Sequence, residues 1–145
     1  MKTIANGLTR SLQHYAVTLA WLDDTRYYRL EANYLSSEFE NYSSNHLSSY
    51  YEKKTNWMRM NLLKLVKDIG RIQLMIEHQL DRLSLVIEDK IEEDTEALEC
   101  RQIHLEYIMR DFCEAYRKLK ITFFELVDSI NNIELPVFYR TELGR

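Results

Sequence analysis

Between Leu62 and Ile91 apolar residues recur at 62, 65, 66, 69, 72, 76, 80, 83, 87 and 91, alternating steps of three and four. That spacing belongs to one long amphipathic helix. On a helical projection these side chains fall within about 60° of Ile69, and Gln73 is the one polar residue read on the arc. A chain carrying such a stripe has to bury it against other helices of similar length. Three glycines and one proline among 145 residues leave few places for tight turns, so the elements are expected to be long and few.

The remainder of the chain fits that expectation. Ile4, Leu8, Leu12, Tyr15, Leu19 and Leu22 step by threes and fours and predict a first helix over 3–22. Tyr28, Ala32, Leu35, Phe39 and Tyr42 predict a second over 25–42. The six-residue jump from 22 to 28, with the cap-forming Asp23, Asp24 and Thr25 inside it, predicts a bend or short break between them. Residues 43–49 (SSNHLSS) are expected to form the first true turn, with their serines or Asn56 capping the helix that follows over 50–91. Asp94-Thr95 is a plausible cap for a last helix over 95–133, whose stripe is read as Leu98, Leu105, Ile108, Phe112, Ala115, Leu119, Leu126, Ile130 and Ile133. Pro136 then favours an extended tail over 134–145, whose Val137, Phe138 and Tyr139 either dock on the bundle or serve as a peptide for a partner.

The reading is therefore all-α. It is a single domain over 1–145, an elongated bundle of three to four helices dominated by a long antiparallel, coiled-coil-like hairpin. Arms of such length overhang their neighbours unless a second copy covers them, which points to a homodimer.

Composition narrows the function. A net charge of −4 argues against a nucleic-acid binder held mainly by phosphate neutralisation. The amino-terminal apolar run is broken by Asn6, Thr9, Arg10 and Gln13, and the run YAVTLAWL at 15–22 is too short to span a bilayer. A cytoplasmic location, in the cell that makes the chain or in a host cell, is the expectation. Cys100 and Cys113 share one expected helix about 20 Å apart, too far for a disulfide, and are read as free thiols of a reducing compartment. No HExxH, CxxC, Glu-x-x-His or glycine-rich phosphate loop occurs, and His14, His46, His78 and His104 are scattered. No catalytic residue, metal or cofactor is expected.

Two further faces of the long helix carry the candidate binding residues. Leu63, Leu74 and Leu85 form a narrower apolar ridge outside the main arc, which suggests a central helix with two neighbours. Lys53, Lys64, Lys67, Arg71, His78 and Arg82 lie roughly opposite Ile69 as a basic strip. Gly70 is read either as a point of close backbone approach or as a tolerated interior glycine. Tyrosines beside basic residues, Tyr27-Tyr28 between Arg26 and Arg29 and Tyr50-Tyr51 before Lys53-Lys54, favour a protein interface over base stacking. Together these features predict a scaffold, adaptor or assembly factor that binds proteins through exposed helical ridges.

Two resemblances supply alternatives. Long antiparallel arms with one basic face look like BAR-type membrane-curving modules, which implies a dimer on anionic membrane through Lys64, Lys67 and Arg71. The Arg71-x6-His78 spacing, in an all-α chain of this size, resembles HEPN-type ribonucleases, although the polar residue that commonly follows the arginine is absent. That resemblance implies RNA cleavage at a dimer cleft using Arg71 and His78.

Overall fold

The computed structural model describes residues 2–46, 51–92 and 94–134, with side chains described over 7–43, 51–92 and 94–131. Within them lie three helices, α1 (Lys2–His46), α2 (Glu52–Ile87) and α3 (Thr95–Glu134). The tail beyond Glu134 and the segment 47–50, including two of the serines expected to cap α2, fall outside the described residues. Hydrogen bonds fix the directions. His14 meets Glu99, Thr18 meets Gln102, Tyr28 meets Cys113 and Tyr42 meets Asn131, so α1 and α3 advance together and run parallel. Moving along α1 through Arg29 to Glu40, the partners on α2 move back from Gln73 to Arg59, so α2 runs against both.

The arc on Ile69 is buried as the spacing predicts. Leu62, Leu65, Ile69, Ile72, Ile76, Leu80 and Leu83 are all core residues, whereas Val66, Ile87 and Ile91 of the expected arc are half-buried. Eleven buried residues, among them Leu22, Ala32, Ile69, Ile76, Leu105 and Phe112, form one cluster. A second gathers Leu35, Phe39, Tyr51, Met58, Leu62, Phe123, Leu126 and Ile130. The polar interruption is Gln79, buried, rather than the half-buried Gln73. On α3 the middle of the stripe turns by one residue. Met109, Tyr116 and Phe123 go inside, Ala115 is exposed, and Ile108 and Leu119 are only half-buried.

The expected break at 22–28 does not occur, and α1 is continuous from Lys2 to His46. The reason lies at Thr25, which is fully buried and donates its hydroxyl to the Leu22 carbonyl. Seam positions 22, 25, 28, 32, 35 and 39 keep the three-and-four spacing once a threonine is allowed to occupy one of them, with Tyr28 half-buried. The helix also runs through Ser43 and Ser44 into the region read as a turn, because Ser43 is buried and bonds back to the Glu40 carbonyl. Asn56 lies inside α2, whose N-cap Tyr51 makes no side-chain cap bond.

The α2–α3 connection is short and defined. α2 ends at Ile87, four residues before the expected Ile91, where Lys90 N–H donates to Leu85 C=O (2.9 Å) and Asp89 N–H to Val86 C=O (3.1 Å). With Asp89 at φ 56°, these are the two bonds of a Schellman terminator. Asp94 caps α3 as expected, its Oδ1 accepting from Glu96 N–H at 3.1 Å.

Gly70 is the tolerated kind of interior glycine, since a Cβ there would meet nothing within 4 Å. Gly70→Ala should raise stability by about 1 kcal/mol through the lower backbone entropy of the unfolded chain, lifting Tm by about 3 °C. A differential scanning calorimetry trace that stays put or moves down would contradict this.

Candidate interaction surface

α1 is built unlike its partners. Over its first half Ser11, His14 and Thr18 are buried, one residue out of phase with the expected Leu12, Tyr15 and Leu19, and the phase is regained at Leu22, which is buried as expected. One residue is about 100° of rotation. The expected core leucines Leu8, Leu12 and Leu19 therefore face outward.

Polar burial of this kind requires partners, and α2 and α3 provide them. Gln102 donates to Thr18 Oγ1 (3.0 Å), Gln79 donates to Gln102 Oε1 (3.0 Å), and Arg101 Nε donates to Gln79 Oε1 (3.1 Å). Thr18 itself donates to the His14 carbonyl at 2.6 Å. One turn away, Glu99 accepts from Arg10 Nε at 2.6 Å and lies 2.9 Å from His14 Nε2. A continuous polar layer thus links all three helices near one end of the bundle.

Hydrogen bonds from Arg10 and then His14 hold the Glu99 carboxyl down at about 2, against a usual 4.5. A depressed carboxyl contributes stability that is complete above the unfolded value and lost as pH falls through the folded one. Acid should therefore loosen this end of the bundle between about pH 4.5 and 2, and Glu99→Gln should flatten that part of a Tm-against-pH curve. An unchanged slope in the variant would show that Glu99 is not responsible.

Farther along, the Glu31 carboxylate accepts from Tyr116, from Tyr27 (2.9 Å) and from Lys120 (3.0 Å). These bonds, that of Tyr116 first, lower its pKa. Burial and Glu31 in turn push the Tyr116 phenol upward. Tyr28 is raised to about 12, by its hydrogen bond with Cys113 and then by burial. Its ring packs edge-on against Phe112 at 5.6 Å. The cluster is a clasp between α1 and α3, with every phenol kept neutral.

The candidate residues on α2 sit apart from this layer. Leu63 and Leu74 are 64% and 69% exposed, and Leu85 is half-buried. α2 does pack on both neighbours, but through the Ile69 arc, while Leu63 and Leu74 look outward. Lys64, Lys67 and Arg71 are exposed beside them and Arg82 is half-buried. Arg71 and His78 are exposed two turns apart, about 10 Å along the axis. His78 lines a groove of about 310 Å³ with Leu74, Met75, Arg101 and His104, and Arg71 is not in its wall. A wider groove of about 500 Å³ brings Lys53, Lys54 and Trp57 of α2 beside Thr122 and Glu125 of α3. Among the described residues no group of three or more histidine, cysteine or acidic side chains is placed to hold a metal ion. No described helix is long and apolar enough to cross a membrane.

The outward face of α1 is the feature that the periodicity reading missed. Leu12, Ala16, Leu19, Asp23, Arg26, Leu30, Asn33 and Ser37 are all exposed and step by alternating fours and threes. Leu30 is 74% exposed, and Tyr27 and Tyr34 flank it. The signal was present as a second set of three-and-four steps on the same helix. In comparisons with known proteins, no family model, curated protein or solved structure matches this chain.

Proposed function

We propose that the chain is a non-enzymatic protein–protein interaction module, a scaffold, adaptor or assembly factor, that works as a homodimer in the cytoplasm. The observation that carries this reading is the amount of large apolar surface held on outward helix faces after the core is full. Leu12, Leu19 and Leu30 on α1, Trp57, Met60, Leu63 and Leu74 on α2, and Tyr107, Ile121 and Phe124 on α3 all remain exposed. Scattered single leucines need no partner, but rows of them along rigid helices are how helical ridges bind other proteins. The free thiols of Cys100 and Cys113 suit a reducing compartment.

Light scattering on the purified chain tests the dimer. A pull-down with the full chain and with Leu63→Glu plus Leu74→Glu, read by mass spectrometry, tests α2 as a binding face. Partners lost selectively from the double variant support the reading. Salt-sensitive sedimentation with anionic vesicles, abolished by charge reversal at Lys64, Lys67 and Arg71, would replace it with a membrane-surface function.

A further inference from the structure

We infer that the outward face of α1 is a self-association surface on which a second copy of the chain lies antiparallel, with the two-fold axis passing between Asp24 and Thr25. This rests on the homodimer reading above and adds to it the surface, the direction and the register.

Three observations converge on it. The first is that the amino-terminal half of α1 divides its side chains the wrong way round for a helix with one partner. Its inner face there holds Ser11, His14, Thr18 and Thr25 around Leu22, and becomes apolar only farther on with Ala32, Leu35 and Phe39, while the outer face already holds Leu8, Leu12, Leu19 and Leu30. A helix apolar on two sides has two neighbours, and the bundle supplies only the inner ones.

The second is spacing. Residues 12, 16, 19, 23, 26, 30, 33 and 37 form an unbroken heptad seam, with 16, 23, 30 and 37 at one core position and 12, 19, 26 and 33 at the other. All eight are exposed, with Leu12, Ala16, Leu19 and Leu30 apolar, so the seam is uncovered over 26 residues, about 39 Å of helix.

The third is charge, which selects the arrangement. Asp23 and Arg26 are the two charged residues in the seam, and within one chain they lie 3.8 Å apart at 72% and 60% exposure. Parallel pairing sets each against its own copy, two like-charge contacts at the centre of the seam. Antiparallel pairing joins one core position to the other, so paired residue numbers share a fixed sum. With the sum at 49, Asp23 meets Arg26 of the second copy, Leu19 meets Leu30, Ala16 meets Asn33 and Leu12 meets Ser37. A shift of one heptad, to 42 or 56, places Asp23 against Leu19 or Arg26 against Leu30 and leaves the charges without partners. The register that matches charge to charge also sets Leu19 against Leu30; the 42 register keeps a leucine pair, Leu12 with Leu30, but strands both charges, so charge decides between them. Four charges at the two-fold axis then fix register, as polar residues at core positions do in paired helices.

The test uses the full-length chain in sedimentation equilibrium. Leu30→Asp, at an exposed site where folding is not at stake, should weaken dimerisation by at least about tenfold. Asp23→Arg and Arg26→Asp should each weaken it similarly, because each variant faces its own charge across the axis. An equimolar mixture of these two variants should recover wild-type affinity as a heterodimer, and the single-variant losses separate the arrangements, because parallel pairing is already like-charged at both positions and predicts no loss in either variant. A wild-type chain that stays monomeric overturns both this inference and the homodimer reading. A dimer that ignores all three substitutions but falls apart with Leu63→Asp overturns the α1 surface and leaves the homodimer standing. Loss in each single variant followed by recovery in the double variant Asp23→Arg plus Arg26→Asp establishes the register.

Discussion

Phe39→Ala is expected to lower the unfolding free energy by about 3–5 kcal/mol. Phe39 is 1% exposed, and its ring lies 5.6 Å from that of Phe123 at a tilt of 55°. Around it stand Leu35, Tyr51, Met58, Leu62, Leu126 and Ile130, contributed by all three helices. Truncation loses the transfer free energy of the ring and leaves a hole that long, continuous helices cannot easily close. Set against a total of about 5–15 kcal/mol for a domain of this size, the loss is large. Urea titration should show a lower midpoint with an unchanged slope. The comparison is Leu30→Ala, on the outer face, expected within about 0.5 kcal/mol of wild type in the monomer. Equal losses at both sites would mean that α1 is seated differently.

Gln102→Leu should cost about 2–4 kcal/mol for a different reason. Gln102 is buried and joins Thr18 of α1 to Gln79 of α2. Its removal leaves the Gln79 amide and the Thr18 hydroxyl oxygen each short of a partner in a place water does not reach, and the desolvation of those groups dominates the loss. The triple change Thr18→Val, Gln79→Leu and Gln102→Leu removes the orphaned groups together and should recover most of the stability. What it should not recover is uniqueness, because the layer penalises any sliding of α1 against α3. Hydrogen exchange along α1 should accelerate in the triple variant while its urea midpoint returns toward wild type. A single variant as stable as wild type would show the network to be dispensable.

Much of the fold was legible in the sequence, and the limits of legibility follow from the physics. The Ile69 arc could be read because α2 carries its apolar residues on one side and polar residues elsewhere, so periodicity alone orients it. Asp94 as a cap could be read because capping is local, made by one side chain and a backbone N–H two residues away. The absence of a break near Thr25 is invisible to apolar periodicity, because a threonine fills a seam position when its hydroxyl bonds to its own helix. From Leu22 onward the stripe of α1 is legible, with Leu22, Ala32, Leu35 and Phe39 buried as expected, but before it the phase is not, because the leucines there stand outward and Ser11, His14 and Thr18 go inside.

The sequence by itself therefore determined that the chain is all-α and built of long helices, which side of α2 faces inward, and where α3 begins. Local chemistry sets all of these: apolar periodicity, scarcity of glycine and proline, and a capping aspartate. Only the tertiary structure decided which face of the first half of α1 is buried. His14 and Thr18 are acceptable inside because Glu99 and Gln102 stand opposite them, more than eighty positions away in the chain. Whether a polar side chain can be buried depends on the partner it meets there, and that partner is set by how the helices align. The same alignment turned Leu12, Leu19 and Leu30 outward and left the seam on which the proposed dimer rests.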